Sequence, residues 1–562
     1  MPQPRPCHVQ PSPGLARCWS LNDGYSCPAT ESSLSKSSEG SFTVTWDESD
    51  PANPRNFRLA RRWLIVILVS MGSLCVTCAS SIYTTTYAQI TEEFHISRIV
   101  ATLGLSFFIW GLGFGPLVLA PLSEFYGRRP IYICSLLLFL IWLVPCAVAQ
   151  NVQTLIIGRL FSGLAGSAFL SVAGGTVADL FARNELAAPM MVYTASPFIG
   201  PEIGPLIGGF VNQFMDWRWS FYLLMIWTGA LLIAVTAFVP ETYHPMQYSL
   251  LKRRAQKIRD ETGDERWKSP LDQNSTSIVS SILRSMYRPI LLLVLEPMCL
   301  NLCIFSAILL GILYLFFGAF QLVFASVYGF SLWQRGCSFL GLLVGMLCAI
   351  CTDPLWRRNY ERLERAGMAR GKDVEGTGQT SRAPEHQPEW RLPPAIAGAP
   401  LVTIGLFIFA WTIYPDVHWI GAMVGSAVFG AGTILVYSGI FTFLVDAYPS
   451  YAASTLAANS FARSAFAGVF PLFGVQMYNR LGYHWATSLL AFLTLLMAPF
   501  PCVSSSKPRI FSAPAKSGSN PTSGIYSSDM VAEFGAGVDL LLSCLGGREK
   551  RNNVPVLPSL AM

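Results

Sequence analysis

Uncharged apolar runs of about twenty residues recur along the chain. A helix rises about 1.5 Å per residue, so ~20 mostly apolar residues cross the hydrocarbon core of a bilayer. Five such runs fall at residues 63–91, 99–123, 130–158, 160–178 and 219–240. A sixth, near 186–211, carries one charge, Glu202. The pattern predicts six spans before residue 241.

A polar stretch, 241–288, follows with nine Lys or Arg residues and several acids. It reads as a solvated, partly helical linker. Residues 289–334 are then uncharged except for Glu296. That run is too long for one straight helix, so a span is expected near 295–318, followed by an interfacial segment rich in aromatics. A short eighth span fits 336–352, and 353–391 reads as a polar loop with eight basic residues. Further spans fit 392–415, 417–445, 452–476 with Arg463 inside, and 485–502. The organisation predicted is a disordered tail over 1–60, a six-span unit over 61–240, a linker over 241–288, a second six-span unit over 289–502, and a Ser/Pro/Gly-rich tail over 503–562. The fold class expected is an all-α polytopic membrane protein.

Composition agrees. Hydrophobic residues make up 52% and charged residues 13%, and the mean hydropathy is +0.43. Soluble domains carry about twice that charged fraction. The net charge of +6 does not point to nucleic acid, because the basic residues gather in short loops. Arg55, Arg58, Arg61, Arg62, Arg128, Arg129 and both long polar segments fall on one side, against Arg98, Arg218, Arg335 and Arg480 on the other. This bias predicts that both termini are cytoplasmic. An Asn274-Ser275-Thr276 glycosylation triplet lies in the linker and is expected to stay unmodified. Ten of the fourteen cysteines lie in or beside apolar segments at irregular spacing. Cys75 and Cys78 have no second pair or histidine at ligand spacing, so small apolar side chains, with no metal and no cofactor, are expected. Six histidines that do not cluster argue against a membrane-embedded enzyme. The missing Gly-x4-Gly-Lys-Ser/Thr loop argues against ATP drive.

Three places hold unusual chemistry. The stretch Gly115–Pro130 contains Glu124, Gly127, Arg128 and Arg129. Gly127 suits a very tight turn, and Glu124 is spaced to pair with Arg128; equally, the two arginines fit as topology anchors. Asp179, at the end of span four, is a second candidate partner for Arg128. Arg159 lies near the outer end of span four, where it either works in the membrane or snorkels to the interface. Span five holds Gly200, Pro201, Glu202, Gly204, Pro205, Gly208 and Gly209. Such a helix bends and needs close neighbours. Its Glu202 faces either a cavity or a structural arginine.

These residues resemble the major facilitator superfamily, in its fungal drug:proton antiporter group with twelve spans. The Gly115–Arg129 stretch resembles the signature between helices two and three, with Glu124 in place of the usual Asp and Ala120 in place of the leading Gly. Arg159-x3-Gly163 resembles the fourth-helix motif, whose arginine is linked to proton coupling. Gly200-x3-Gly204-Pro205-x2-Gly208-Gly209 resembles the fifth-helix antiporter motif. Trp46-Asp47, Asp50-Pro51-x-Asn53-Pro54, Trp217-Arg218-Trp219, Pro240-Glu241-Thr242-Tyr243, Arg288-Pro289 and Asp446-Ala447-Tyr448 resemble fungal members. The resemblance covers residues 45–502. It implies two six-helix bundles rocking about a central site and outward movement of small amphipathic compounds such as drugs, toxins or secondary metabolites. Facilitated uptake, or polyamine transport, is the alternative. It further implies a monomer in the plasma membrane, with the vacuolar membrane as the other location, and protons and small molecules as partners. Ser80, Ser81, Tyr83 and Thr84 become cavity candidates. Proton-coupling candidates are Glu202 and Glu296, with Arg159 adjusting them, because arginine keeps its proton near neutrality.

Overall fold

The computed structural model describes residues 42–43, 54–181, 185–242, 267–268, 278–375, 387–448 and 452–501. Trp46, Asp47, Asp50, Pro51, Asn53, Tyr243, the Asn274-Ser275-Thr276 triplet, most of the linker and the tail after residue 501 lie outside them, as does the side chain of Glu124.

Fifteen principal helices follow one another. They are α1 (Leu59–Ile82), α2 (Arg98–Tyr126), α3 (Arg128–Ala147), α4 (Val152–Gly166), α5 (Ala187–Phe214), α6 (Arg218–Phe238), α7 (Ile278–Leu295), α8 (Pro297–Ser326), α9 (Leu332–Cys337), α10 (Leu340–Cys351), α11 (Asp353–Glu375), α12 (Pro393–Thr412), α13 (Ile420–Ala447), α14 (Ala452–Leu481) and α15 (Tyr483–Met497). Short turns carry α1 on to Glu93 and α4 on to Leu180. Among the described residues the one β pairing joins Phe42–Thr43 to Trp267–Lys268.

Among the described residues, ten helical stretches are long and apolar enough to cross a membrane. α5 and α14, with 28 and 30 residues, reach far enough, at about 1.5 Å per residue. They fall outside the ten because proline, glycine, small and polar residues dilute them. The reason is packing: α5 runs along α1, and α14 runs along α8 and α2. Helices that meet others rather than lipid favour small residues.

Several expected boundaries need correction. The run 130–158 is two helices. Asn151 caps α4, its side chain accepting the Thr154 N–H at 2.8 Å, as short polar residues do at helix starts. Arg159 therefore sits inside α4, and it is fully buried rather than snorkelling. Glu296 and Pro297 interrupt the long run after 289, and α8 continues to Ser326. Its aromatics are core, not interface: Phe316 and Phe320 pack on Phe409, and Phe320 also meets Phe339. The eighth span reaches from Leu332 to Ala366, so the expected loop after 353 begins as helix α11.

Candidate functional site

The turn between α2 and α3 is built on one glycine. Gly127 ends α2 and opens α3 with φ +94°, a region that L side chains avoid. Directly over it lies Glu241. Its carboxylate accepts the Arg128 N–H at 2.9 Å and the Arg129 N–H at 3.1 Å. A carboxylate on the free amides of a helix start satisfies orphan donors and meets the positive end of the dipole. Arg128 donates to Ser123 Oγ at 2.7 Å, and its Nε lies 3.5 Å from Asp179 Oδ2. Arg129 donates to the Thr236 carbonyl at 2.8 Å. The turn thus joins α2, α3, the end of α4 and the end of α6. Glu241 had no assigned role in the sequence; its signal was the Pro240–Tyr243 segment.

The fifth-helix motif forms a second joint. Gly200, Gly204 and Gly208 face Thr77, Ser81 and Thr85 in register, each so close that a Cβ would strike the opposing hydroxyl. Those hydroxyls are tied to their own helix, at Ser73, Cys78 and Ile82, so α1 offers a smooth face. Asn212 extends the seam by donating to Thr85 Oγ1 at 2.8 Å. Gly209 and Pro205 turn the other way. They meet α9, where the Pro205 carbonyl lies against Gly336 and Gln213 Oε1 accepts the Leu332 N–H at 2.9 Å. α5 therefore bridges the two halves of the chain.

The charged centre lies between these joints. Arg159 donates to the carbonyls of Ala79, Ser80 and Gly104 at 2.8, 3.3 and 3.3 Å. A 3-10 turn over Tyr83–Thr86 follows those α1 carbonyls. Such turns pair amides three residues back, which frees carbonyl capacity just before them. The guanidinium also lies over Tyr83 and Phe108, at 4.7 and 4.1 Å from the ring centroids. Arg159 is thus a clamp on α1, α2 and α4, each of its three nitrogens bonded to a carbonyl. Ser80 Oγ meets the Tyr314 hydroxyl of α8 at 3.0 Å. Arg159, Glu202 and Arg463 all lie within electrostatic reach of that hydroxyl.

Glu202 is 1% exposed, and both its carboxylate oxygens lack a hydrogen-bond partner among the described residues. Of the described ion pairs, none joins it to Arg159. Arg463 is partly buried, over Phe441 at 4.8 Å and Tyr437 at 5.5 Å. Tyr437 stacks in turn on Phe198 of α5, centroids 5.0 Å apart. Of the cavity candidates, the hydroxyl of Ser80 alone bonds across to the second half. Ser81 packs on Gly204, Thr84 bonds the Ser81 carbonyl, and Tyr83 bonds the Ala101 carbonyl beneath Arg159. Glu296 stands apart at the start of α8, accepting from Tyr448 at 3.4 Å. The sequence did not single out Tyr314 or Tyr437; aromatic residues in apolar helices carry no distinguishing pattern.

Comparison with known proteins agrees with this architecture. The family model described as Major Facilitator Superfamily matches residues 69–471. The efflux pump atB of Aspergillus terreus is 53% identical over 472 residues, covering 84% of this chain and 89% of its own. The probable drug/proton antiporter YHK8 of Saccharomyces cerevisiae is 41% identical over 468 residues, 82% and 87% of the two chains. Among solved structures, the proton:xylose symporter XylE bound to a bromodeoxyglucose superposes with a TM-score of 0.54 at 15% identity, over 79% of this chain and 96% of its own. XylE from E. coli in a partially occluded inward-open conformation gives 0.52 at 16% identity, over 78% and 97%. These two likenesses concern the fold.

Proposed function

The chain belongs to the Major Facilitator Superfamily, and from that premise we propose that it exports small amphipathic organic compounds, of a drug, toxin or secondary-metabolite kind, in exchange for protons. The observation that carries the reading is Glu202. A carboxylate buried in a membrane helix without a partner is costly as an anion. It is tolerable if it holds a proton in one state and releases it in another. The Gly/Pro seam supports the same reading, since α5 packs on α1 on one side and on α9 on the other. Names of relatives support export: one is an efflux pump and another a probable drug/proton antiporter.

In this mechanism two six-helix bundles, twelve crossings in all with α5 and α14 counted, rock about the Glu202–Tyr314 centre. Both termini and the linker face the cytosol, and the protein works as a monomer in the plasma membrane. Glu202 exchanges the proton. Arg159 is locked to backbone carbonyls, so it acts on the centre through Tyr314 rather than as a direct partner of Glu202. The Gly127 turn, with Arg128, Arg129, Asp179 and Glu241, holds the cytoplasmic ends of α2, α3, α4 and α6 as they move.

The test is uptake of fluorescent amphipathic dyes (cationic, neutral and anionic) into acid-loaded proteoliposomes, corrected for protein-free vesicles. The parent accumulates at least one dye. Glu202→Gln loses gradient-driven accumulation but keeps dye exchange. Unchanged accumulation in Glu202→Gln overturns the assignment.

A further inference from the structure

Two arginines lie inside the helical core, and they are held differently. Every nitrogen of the Arg159 guanidinium donates to a carbonyl, and two rings flank it. Among the described residues Arg463 is met by two rings only. Its Nε–H is buried without an acceptor, and no carboxylate bridges to it among the described residues. Yet a guanidinium keeps its charge under all ordinary conditions and offers five donors in one plane. Phe441 and Tyr437 stabilise the cation through their ring electrons. The donor edge meets no acceptor among the described residues, on a side chain that remains partly accessible.

The surroundings place Arg463 between helices of the two halves rather than in lipid. It lies within electrostatic reach of Tyr437, Cys303 and Tyr314, on α13 and α8. Its neighbour Ser464 packs on Gly113 of α2, and Phe461, one turn before, packs on Phe114. The residue therefore stands where α14 meets the first half, within electrostatic reach of the tyrosine that Ser80 touches. A permanent cation kept there without a counter-ion among the described residues calls for a hydrated setting, and an anionic ligand entering it would find free donors.

We infer that Arg463, set on the rings of Phe441 and Tyr437, is a subsite for the carboxylate or similar compact anionic head of an aromatic substrate. A planar guanidinium accepts a carboxylate in two parallel hydrogen bonds, while the adjacent rings and Phe198 give the apolar body of the ligand a surface to stack on. This names a substrate class for the site proposed above and rests on that reading only for the direction of movement.

The test uses the purified full chain in lipid nanodiscs, with no gradient, so its outcome does not depend on proton-driven export. Binding of tritiated 1-naphthoate is compared with that of tritiated 1-naphthamide, which has the same rings and no charge. The parent binds the carboxylate at least about tenfold more tightly, the scale of a charged hydrogen-bonded contact. Arg463→Gln erases that preference and leaves amide binding within about twofold, and Arg463→Lys restores part of it. Equal binding of the two ligands by the parent, or an undiminished preference in Arg463→Gln, overturns the inference. So does parallel loss of both ligands in the Gln and Lys variants, which marks a structural arginine. A parent that binds the carboxylate selectively but fails to accumulate any dye under the gradient overturns proton-driven export alone.

Discussion

Ser80 Oγ and the Tyr314 hydroxyl lie 3.0 Å apart and tie α1 to α8. A neutral buried hydrogen bond contributes about 1 kcal/mol, or roughly a fivefold change in an equilibrium. Tyr314→Phe is expected to reduce turnover several-fold at unchanged membrane abundance, by shifting the balance between open and closed states. Ser80→Ala does the same, and the double variant is no worse than either single one. Transport per molecule across the cycle of variants measures this. Additive losses would show that the hydroxyls act separately.

The Gly127 turn makes a second prediction. Gly127→Val forces an L side chain to φ +94° and pushes it into the Glu241 carboxylate, at a cost of about 1–3 kcal/mol for the backbone alone. Glu241→Ala instead leaves two helix-start amides without their acceptor. Both variants are expected to lose transport more than surface abundance, because the turn links four helices that must move together. Dose-matched transport with surface biotinylation decides it. Equal loss of abundance and activity would point to a folding role.

How much of this was legible follows from how each signal is encoded. Span positions are written in runs of apolar residues, and each of the ten long apolar helices among the described residues lies on one of these runs. Their ends were less clear. Residues 148–151 carry no charge, so hydropathy ran through the Asn151 cap and placed Arg159 too near the surface. Aromatics around Phe320 look alike whether they face lipid or the core. Gly200, Gly204 and Gly208 announced close packing by their spacing, but the partner hydroxyls on α1 depend on which helix arrives opposite. Glu241 and Tyr314 act through contacts more than a hundred residues away in sequence, which no local pattern carries.

The α1–α5 seam separates structural from tolerant glycines. A Cβ at Gly204 would strike Ser81 Oγ and approach the Cys78 carbonyl to 2.8 Å. Backbone cannot yield as a side chain does, so Gly204→Ala is expected to cost about 1–3 kcal/mol of overpacking and to lower both folded yield and transport. Gly229 in α6 has nothing within 4 Å of the same position, and Gly229→Ala is expected to be neutral or slightly stabilising. Thermal unfolding of the two purified variants, followed by size-exclusion chromatography after heating, compares them. Similar shifts for both would rule out seam packing as the cause.

The contact of α5 with α9 makes the prediction that bears most directly on moving parts. Gly336 lies against the Pro205 carbonyl, and Gln213 holds the Leu332 N–H at 2.9 Å. Under the proposed orientation this is the outer end, so the structure has that end closed. A bulky residue at 336 cannot fit beneath Pro205. Gly336→Leu is therefore expected to favour a state open to the outside, and Gln213→Ala, which removes one cross-half hydrogen bond of about 1 kcal/mol, to do so more weakly. The reporter is a cysteine at Ser80, introduced after removal of the exposed Cys134, Cys348 and Cys351 and of the half-buried Cys337 next to the mutated glycine, with every variant compared in that same background and labelled from outside by an impermeant maleimide. Labelling is expected to rise about fivefold or more with Gly336→Leu, since 1 kcal/mol or more shifts the open fraction by that factor. It should rise less with Gln213→Ala. Export should fall in Gly336→Leu although the protein reaches the surface, because a transporter held open on one side cannot complete its cycle. Unchanged labelling would mean that the α5–α9 contact does not gate access to Ser80. Faster labelling from the cytosolic side would reverse the assigned orientation.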